Sequence, residues 1–189
     1  MLKRLALATA TAIALSTAGL SAAEYDIDHT HSFVQFKISH LGVSYVIGNF
    51  DVTGGSFTFD GEGSPADQSI NIEVSTASLE TNHAERNKHL ADAEYLNVAE
   101  YPTASFKSTA YEGDAEGGVM KGELTLFGIT KPIDVMVRKI GEGEDPWGGY
   151  RAGFEGKVTI TPADFGATYN LGPAASTVEL NIIIEGKRK

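Results

Sequence analysis

The chain contains no cysteine. A protein without cysteine has no disulfide and no thiolate, so its stability has to come from packing. The sequence also lacks G-x-S-x-G, the sharp turn that presents a catalytic serine, and it has no glycine-rich phosphate loop that opens a helix. These absences leave no recognisable nucleophile and no nucleotide site.

Long apolar runs are also absent, except at the N-terminus. Lys3 and Arg4 precede an apolar stretch over residues 5–20, and Ser21-Ala22-Ala23 supplies the small residues of a cleavage site. This pattern is typical of a secretory signal peptide. The stretch is short and rich in Ala and Thr, whereas a bilayer span needs about 20 strongly apolar residues. We therefore expect residues 1–23 to be removed and residues 24–189 to form one exported domain without stable membrane anchoring.

Basic side chains are scarce in the remaining chain. Without Lys3 and Arg4, 13 Lys and Arg face 25 Asp and Glu, a net charge of −12. Such a charge argues against non-specific nucleic-acid binding and against docking on anionic lipid surfaces. We expect no nucleic-acid partner and no cofactor.

The body of the chain alternates apolar and polar residues. Val34, Phe36 and Ile38, for example, are separated by Gln35 and Lys37. A period of two with one apolar side indicates a half-buried antiparallel strand. The pattern and its turn signals predict eight strands, near residues 31–39, 48–59, 68–76, 103–112, 118–127, 131–141, 151–161 and 175–186.

Eight strands that each have one apolar face need a shared interior in which to bury those faces. The sequence offers only one short helical segment, so the strands have to cover each other as a closed barrel or as a two-sheet sandwich. Strands of about ten residues suit an eight-stranded barrel, which we favour over the sandwich. In the barrel, the apolar faces would line the interior with Val34, Phe36, Ile38, Phe57, Phe59, Ile72, Val74, Leu124, Leu126, Val135, Val137, Phe154, Val158, Leu180 and Ile182.

The helical segment, residues 82–91, lies in the connection between the third and fourth predicted strands. Asn82 is a good N-cap, and Glu85 stands three residues later, where it can complete a capping box. His83 and His89 are six residues apart and cannot share a helix face, so they do not form a two-histidine zinc motif. Three interpretations remain open: a solvated cap, a barrel mouth where Arg86 and His89 meet a polar ligand end, or a catalytic segment.

Three other polar or aromatic features are candidates. His29 and His31 would face one way in a strand and could bind a metal, but no third ligand is evident, so we predict no metal site. His40 continues the apolar face of the first strand to its rim. Trp147 lies in a tight turn, Asp145-Pro146-Trp147-Gly148-Gly149, where it either covers a barrel end or gates the cavity.

Several runs together resemble the YceI-like family. They are His40-Leu41-Gly42-Val43-Ser44, Thr81-Asn82-His83-Ala84-Glu85-Arg86, Lys88-His89-Leu90, Tyr101-Pro102-Thr103-Ala104-Ser105-Phe106, Leu124-Thr125-Leu126-Phe127-Gly128-Ile129-Thr130-Lys131-Pro132, Asp145-Pro146-Trp147-Gly148-Gly149 and Arg151-Ala152-Gly153-Phe154. They follow in order through residues 24–189. Phe127 and Asn87 depart from residues frequent in the family.

The resemblance implies an all-β fold, an extended eight-stranded lipocalin-like barrel. It also implies a periplasmic binding or carrier protein that holds a long-chain isoprenoid or similar amphiphilic lipid in an apolar tunnel. Some members pair as homodimers, and the family has no established reaction. The head group of the ligand would lie at the mouth, beside His40, Asn82, Arg86, His89 and Trp147.

Apolar contact alone explains why such a tunnel would bind a prenyl chain. Each buried methylene contributes roughly 0.8 kcal/mol of transfer free energy, so a prenyl unit contributes about 3–4 kcal/mol gross. A net charge of −12 repels an anionic head group, so we expect the head to be weakly recognised. Two alternatives to a carrier stay open: an enzyme that acts on a bound lipid with polar residues at the mouth, and a filled barrel with a structural role.

Overall fold

The structure, a computed structural model, describes residues 22–61 and 68–189. The predicted signal peptide falls outside these residues except for its last two positions. In the described ranges, no helix is long and apolar enough to cross a membrane. The described residues contain one α-helix, α1, at Ala84–Ala91, and the strands β1 Ala23–Ile27, β2 Phe33–His40, β3 Ser44–Phe59, β4 Ser69–Ser75, β5 Thr103–Gly113, β6 Gly117–Leu126, β7 Ile129–Glu144, β8 Tyr150–Ile160 and β9 Val178–Arg188.

The strands form one closed antiparallel barrel. Their order is β1-β3-β2-β9-β8-β7-β6-β5-β4, and β3 also pairs with β4, which closes the ring. The ring has eight strand positions because β1 and β2 share one of them. β1 pairs with Ser56–Phe59 of β3 and Gly186–Arg188 of β9, whereas β2 pairs with earlier parts of β3 and β9. The predicted eight-stranded barrel is confirmed, and the sandwich alternative is wrong.

The gap between β1 and β2 was not predicted. Residues 28–32 form a turn, and β2 begins at Phe33 rather than near residue 31. His29 and His31 therefore do not stand on one strand face. β1 itself was missed although Tyr25 and Ile27 are buried and alternate with exposed Glu24 and Asp26, because two apolar residues make too short a pattern.

The other strand boundaries lie within a few residues of the prediction. The largest difference is at β3, which begins at Ser44 instead of residue 48. Tyr45 and Ile47 are exposed on its outer face, 61% and 51% respectively, while Val46 lines the interior. Both faces of this part of the strand are apolar, so the alternation of apolar and polar residues is lost.

The barrel has two different ends. The end that we call the mouth carries the β2–β3 turn, the β4–β5 connection with α1, the β6–β7 turn and the β8–β9 connection. The opposite end, which we call the far end, carries β1, the β5–β6 turn and the β7–β8 turn. Successive connections alternate between the ends because each antiparallel strand reverses the direction of the chain.

An aromatic cluster fills part of the far end. The rings of Tyr25 and Phe57 stack with centroids 4.8 Å apart. Phe154 packs edge-on against Phe57 at 5.5 Å and against Phe59 at 5.1 Å. Offset and edge-to-face pairs of this kind stabilise a core beyond their area burial, so they hold β1, β3 and β8 together on one side of the far end.

Two glycines follow the register shift of β3 between Val52 and Gly54 and provide a test of the backbone geometry there. Gly55 has φ +133°, and a Cβ at this position would lie 2.0 Å from the carbonyl oxygen of Asn71. We expect Gly55→Ala to lower the free energy of unfolding by about 2–3 kcal/mol, because β3 and β4 have to move apart locally. Urea unfolding measures the change.

Gly54, the preceding residue, is the matched control. A Cβ there meets no heavy atom within 4 Å. Gly54→Ala should change the free energy of unfolding by less than about 1 kcal/mol, and in the stabilising direction, because alanine restricts the unfolded chain. Equal losses at the two positions would contradict the close approach of β3 and β4 at Gly55.

Candidate ligand-binding cavity

The interior of the barrel is hollow. It encloses a cavity of about 530 Å³, within the roughly 300–1,000 Å³ typical of small-molecule sites. Several inward residues, such as Leu124, Val137 and Val158, are only half-buried because their side chains face this space. The alternative of a barrel filled by its own side chains is therefore wrong.

The wall of the cavity is almost wholly apolar. Every residue predicted to face the interior lies in it: Val34, Phe36, Ile38, Phe57, Phe59, Ile72, Val74, Leu124, Leu126, Val135, Val137, Phe154, Val158, Leu180 and Ile182. Their contact with a ligand stays a prediction. Transfer of a hydrocarbon from water to an apolar cavity is favourable, and apolar contacts impose little restriction on the orientation of the ligand.

The cavity extends along the barrel as a tunnel. His40, Arg86 and His89 line it at the mouth, and Asp114 and Lys139 line it at the far end. The tunnel thus runs nearly the full length of the strands. This shape suits a long, narrow hydrocarbon better than a compact ligand.

Helix α1 brings polar side chains to the mouth. Arg86, His89 and Leu90 follow the i, i+3, i+4 spacing of one helix face, and all three line the cavity. The cap differs from the prediction. The N-cap is His83, whose Nδ1 accepts a hydrogen bond from the backbone N–H of Arg86 at 3.2 Å. Glu85 then stands two residues after the cap rather than three, so the predicted capping box does not form.

Arg86 is held in place by the segment before the helix. Its Nε donates to Oγ1 of Thr81 at 2.9 Å, and Nη2 donates to the Thr81 carbonyl oxygen at 2.5 Å. Within residues 22–61 and 68–189, no carboxylate lies within 4 Å of the guanidinium. Arg86 therefore brings a positive charge to the mouth with no carboxylate of the described residues in direct contact, although its charge helps to lower the pKa of Glu80.

Asn87, which the sequence marked only as a departure from the family, supports this arrangement. Its side-chain oxygen accepts from the backbone N–H of Thr81 at 2.9 Å and from Oγ1 of Thr81 at 2.5 Å. Its amide nitrogen donates to Glu80 at 3.0 Å. That hydrogen bond is the main reason why the pKa of Glu80 lies below its usual value. Asn87 is thus a positioning residue that alternation patterns cannot reveal.

A row of rings continues from α1 across the mouth. His89 lies 4.6 Å from Tyr95, and Tyr95 lies 5.6 Å from Tyr169, centroid to centroid. Burial raises the pKa of Tyr169 to about 12, so its hydroxyl is neutral at physiological pH. Tyr169 lines the cavity, and no described residue hydrogen-bonds to its hydroxyl. Tyr169 lies in the irregular β8–β9 connection, and sequence reasoning missed it.

Two residues predicted at the mouth do not line the cavity. Asn82 is exposed with φ +62° before the helix, and Trp147 lies at the far end in the β7–β8 turn. The Trp147 side chain is 81% exposed and stands over Arg151, with 5.8 Å between the guanidinium carbon and the ring centroid. Trp147 therefore neither covers the barrel nor gates the tunnel, and its placement at the mouth is wrong; Asn82 does lie in the connection at the mouth but outside the cavity wall.

An ion-pair network connects the turn between β1 and β2 to β8 and β9 at the far end. Asp28 is 5% exposed. Its Oδ2 lies 2.8 Å from Nη1 of Arg151 and 2.9 Å from Nζ of Lys187. Arg151 also binds Asp145 at 2.9 Å and Glu185. The hydroxyl of Thr30, followed by Lys187 and Arg151, holds the pKa of Asp28 well below its usual value.

The same network contains one member of the histidine pair considered as a metal site. Nδ1 of His31 lies 3.1 Å from Oδ2 of Asp28, and Glu185 is close to both. However, Arg151 and Lys187 already neutralise these carboxylates. The arrangement is that of a structural salt-bridge cluster.

Comparison with known proteins agrees with this architecture. Residues 25–186 match the YceI-like domain. A UPF0312 protein of Pseudomonas aeruginosa strain LESB58 is 47% identical over 192 residues, covering all of both chains.

Two solved structures have similar folds. The YceI protein of Campylobacter jejuni has a TM-score of 0.70 and 29% identity, covering 80% of this chain and 90% of that one. A polyisoprenoid-binding domain of Saccharophagus degradans has a TM-score of 0.61 and 18% identity, covering 87% and 98%; at this identity the likeness concerns the fold alone. The match over residues 25–186, with these relatives, shows that the chain belongs to the YceI-like family.

Proposed function

We propose that this protein binds a long-chain isoprenoid or a similar amphiphilic lipid in its tunnel and acts as a periplasmic carrier or store. The observation that carries the proposal is the hollow, apolar tunnel of about 530 Å³, which opens at a polar mouth. The structural neighbour from S. degradans, described as a polyisoprenoid-binding domain, supports the same ligand class.

The wall accounts for affinity, and the mouth accounts for orientation. Each methylene that enters the tunnel contributes roughly 0.8 kcal/mol before the costs of ordering the chain. At the mouth, Arg86 offers a charge and Tyr169 offers a neutral hydroxyl donor, so a polar ligand end finds hydrogen-bond partners there. The apolar tail then lies toward the far end.

The N-terminal sequence pattern supports a periplasmic location. A basic pair, an apolar stretch and small residues before residue 24 are the features of a cleaved export signal. Pairing of two copies into a homodimer stays a prediction. Cell fractionation with an antibody against the protein tests the compartment directly.

Native mass spectrometry of the gently purified protein tests the function. We expect an adduct whose mass corresponds to a long aliphatic or prenyl lipid, released by denaturation and identified by fragmentation. After delipidation, neutral and diphosphate forms of one prenyl chain should bind within about tenfold of each other, because the tail dominates the free energy. A protein that carries no lipid and binds no prenyl compound when titrated would overturn the proposal.

A further inference from the structure

A lysine interrupts the apolar row at the far end of the tunnel. Inward positions on β7 alternate through Ile133, Val135 and Val137, and Lys139 occupies the next one. Its side chain is only 15% exposed. A charged group at an inward, largely buried position in an apolar tunnel is costly unless it has partners.

Lys139 has partners on two sides of the tunnel end. Its Nζ binds Glu116 of the β5–β6 turn at 2.9 Å and Glu142 at 3.4 Å. The ammonium also stands 5.7 Å from the ring centroid of Phe59, which belongs to β3 across the barrel. The hydrogen bond to Glu116 is the main cause that raises the pKa of Lys139, so the group is charged at physiological pH. The ammonium thus bridges elements that surround the end of the tunnel.

The other charged residues that line this end are arranged differently. The Arg138 side chain is 65% exposed and binds Glu155 at 3.0 Å on the outside of the barrel. Asp114 accepts hydrogen bonds from the backbone N–H groups of Glu116 and Gly117, so it shapes the β5–β6 turn. Of the two described cations that line the tunnel at this end, Arg138 and Lys139, only Lys139 is on the inward face of its strand.

We propose that Lys139 and its ion pairs set the longest chain that the tunnel accepts. This inference rests on the proposed function. A hydrocarbon that reaches Lys139 has to displace the ammonium from its carboxylates or pack against it. Either step is unfavourable, because an apolar chain cannot replace the ion pairs or the water that stabilise the charge. Affinity should therefore rise with chain length until the tail meets Lys139 and then stop rising.

The experiment uses the delipidated protein and a graded series of all-trans prenyl alcohols that differ by one isoprene unit. Dissociation constants are measured for wild type, Lys139→Ala, Lys139→Met and Lys121→Ala. Lys121 is the matched control because it also forms an ion pair, with Glu112 at 2.6 Å, but does not line the tunnel.

For wild type and Lys121→Ala, we expect the affinity to reach a limit at the same chain length. Lys139→Ala should bind the first alcohol beyond that limit about tenfold more tightly than wild type does, because further methylenes become buried. Lys139→Met, which keeps the length of the side chain without its charge, should shift in the same direction. Thermal melts of each variant show that it is folded.

Two results would overturn the inference. One is an unmoved length limit in both Lys139 variants, and the other is an equal loss of affinity for all chain lengths, which indicates a purely structural lysine. A wild-type protein that binds no prenyl alcohol of any length would instead refute the proposed function, and this inference would fail with it.

Discussion

Val158→Trp is expected to lower the affinity for a long prenyl chain by at least about a hundredfold. Val158 lies in the tunnel wall on β8 and is only half-buried, because its side chain faces the cavity. An indole there occupies space that the tail would fill. Excluding about four methylenes, each worth roughly 0.8 kcal/mol, costs about 3 kcal/mol, which exceeds a hundredfold in the dissociation constant.

The neighbouring residue supplies the control. Thr159 follows Val158 on β8, so its side chain points to the outer face, and it is exposed. Thr159→Trp adds the same ring without entering the tunnel and should bind within about twofold of wild type. Binding titrations and melting curves for both variants separate loss of space from loss of fold. Unchanged binding in a folded Val158→Trp protein would mean that the ligand lies elsewhere.

Arg151→Ala is expected to lower the free energy of unfolding by about 3 kcal/mol, because it leaves the buried carboxylate of Asp28 without one of its main cations. The same substitution removes the hydrogen bond from Nε to Asp145 in the β7–β8 turn. Lys187 and Thr30 still contact Asp28, which keeps the loss at the lower end of the range for broken buried pairs.

A surface arginine is the matched control for this substitution. Arg138 also pairs with one carboxylate, Glu155, but its side chain is 65% exposed. Arg138→Ala should cost less than about 1 kcal/mol, because water screens an exposed pair. Urea unfolding compares the two variants, and similar losses would show that the Asp28 network adds nothing beyond surface pairing.

The same network predicts how stability depends on pH. The folded pKa of Asp28 lies below its unfolded value of about 3.9, so the unfolded state binds the proton more readily on acidification. The stability that this carboxylate contributes is complete above the unfolded pKa and is lost as the pH falls below about 4 toward the folded pKa. In the Arg151→Ala variant, the free energy of unfolding should depend less on pH in this acid range.

Alternation explains how much of the fold was predictable. Period-two patterns in β2, β6, β7 and β9 show which residues share a face, and in a closed barrel that face can only be the interior. Every predicted wall residue therefore lines the tunnel. The pattern fails where both faces are apolar, as at the start of β3, and where the strand is very short, as in β1.

The mouth was predicted only in part. Arg86 and His89 lie there because helical spacing places them on one face. Trp147 was placed with them, although counting connections shows the opposite: the α1 connection follows the third predicted strand and the Trp147 turn follows the sixth. In a meander, connections of different parity lie at opposite ends of the barrel. Tyr169 left no such signal because it belongs to an irregular segment.

By itself, the sequence determined an antiparallel barrel with an apolar interior and one polar helix between strands, because side-chain periodicity depends only on backbone geometry. The tertiary structure alone decided that the interior is hollow, since empty volume depends on how closely opposite walls approach. It also decided that Asp28 meets Arg151, residues 123 positions apart, and that Lys139 meets Glu116 at the end of the tunnel. Contacts of this kind arise when the sheet closes into a barrel, and no local sequence pattern predicts them.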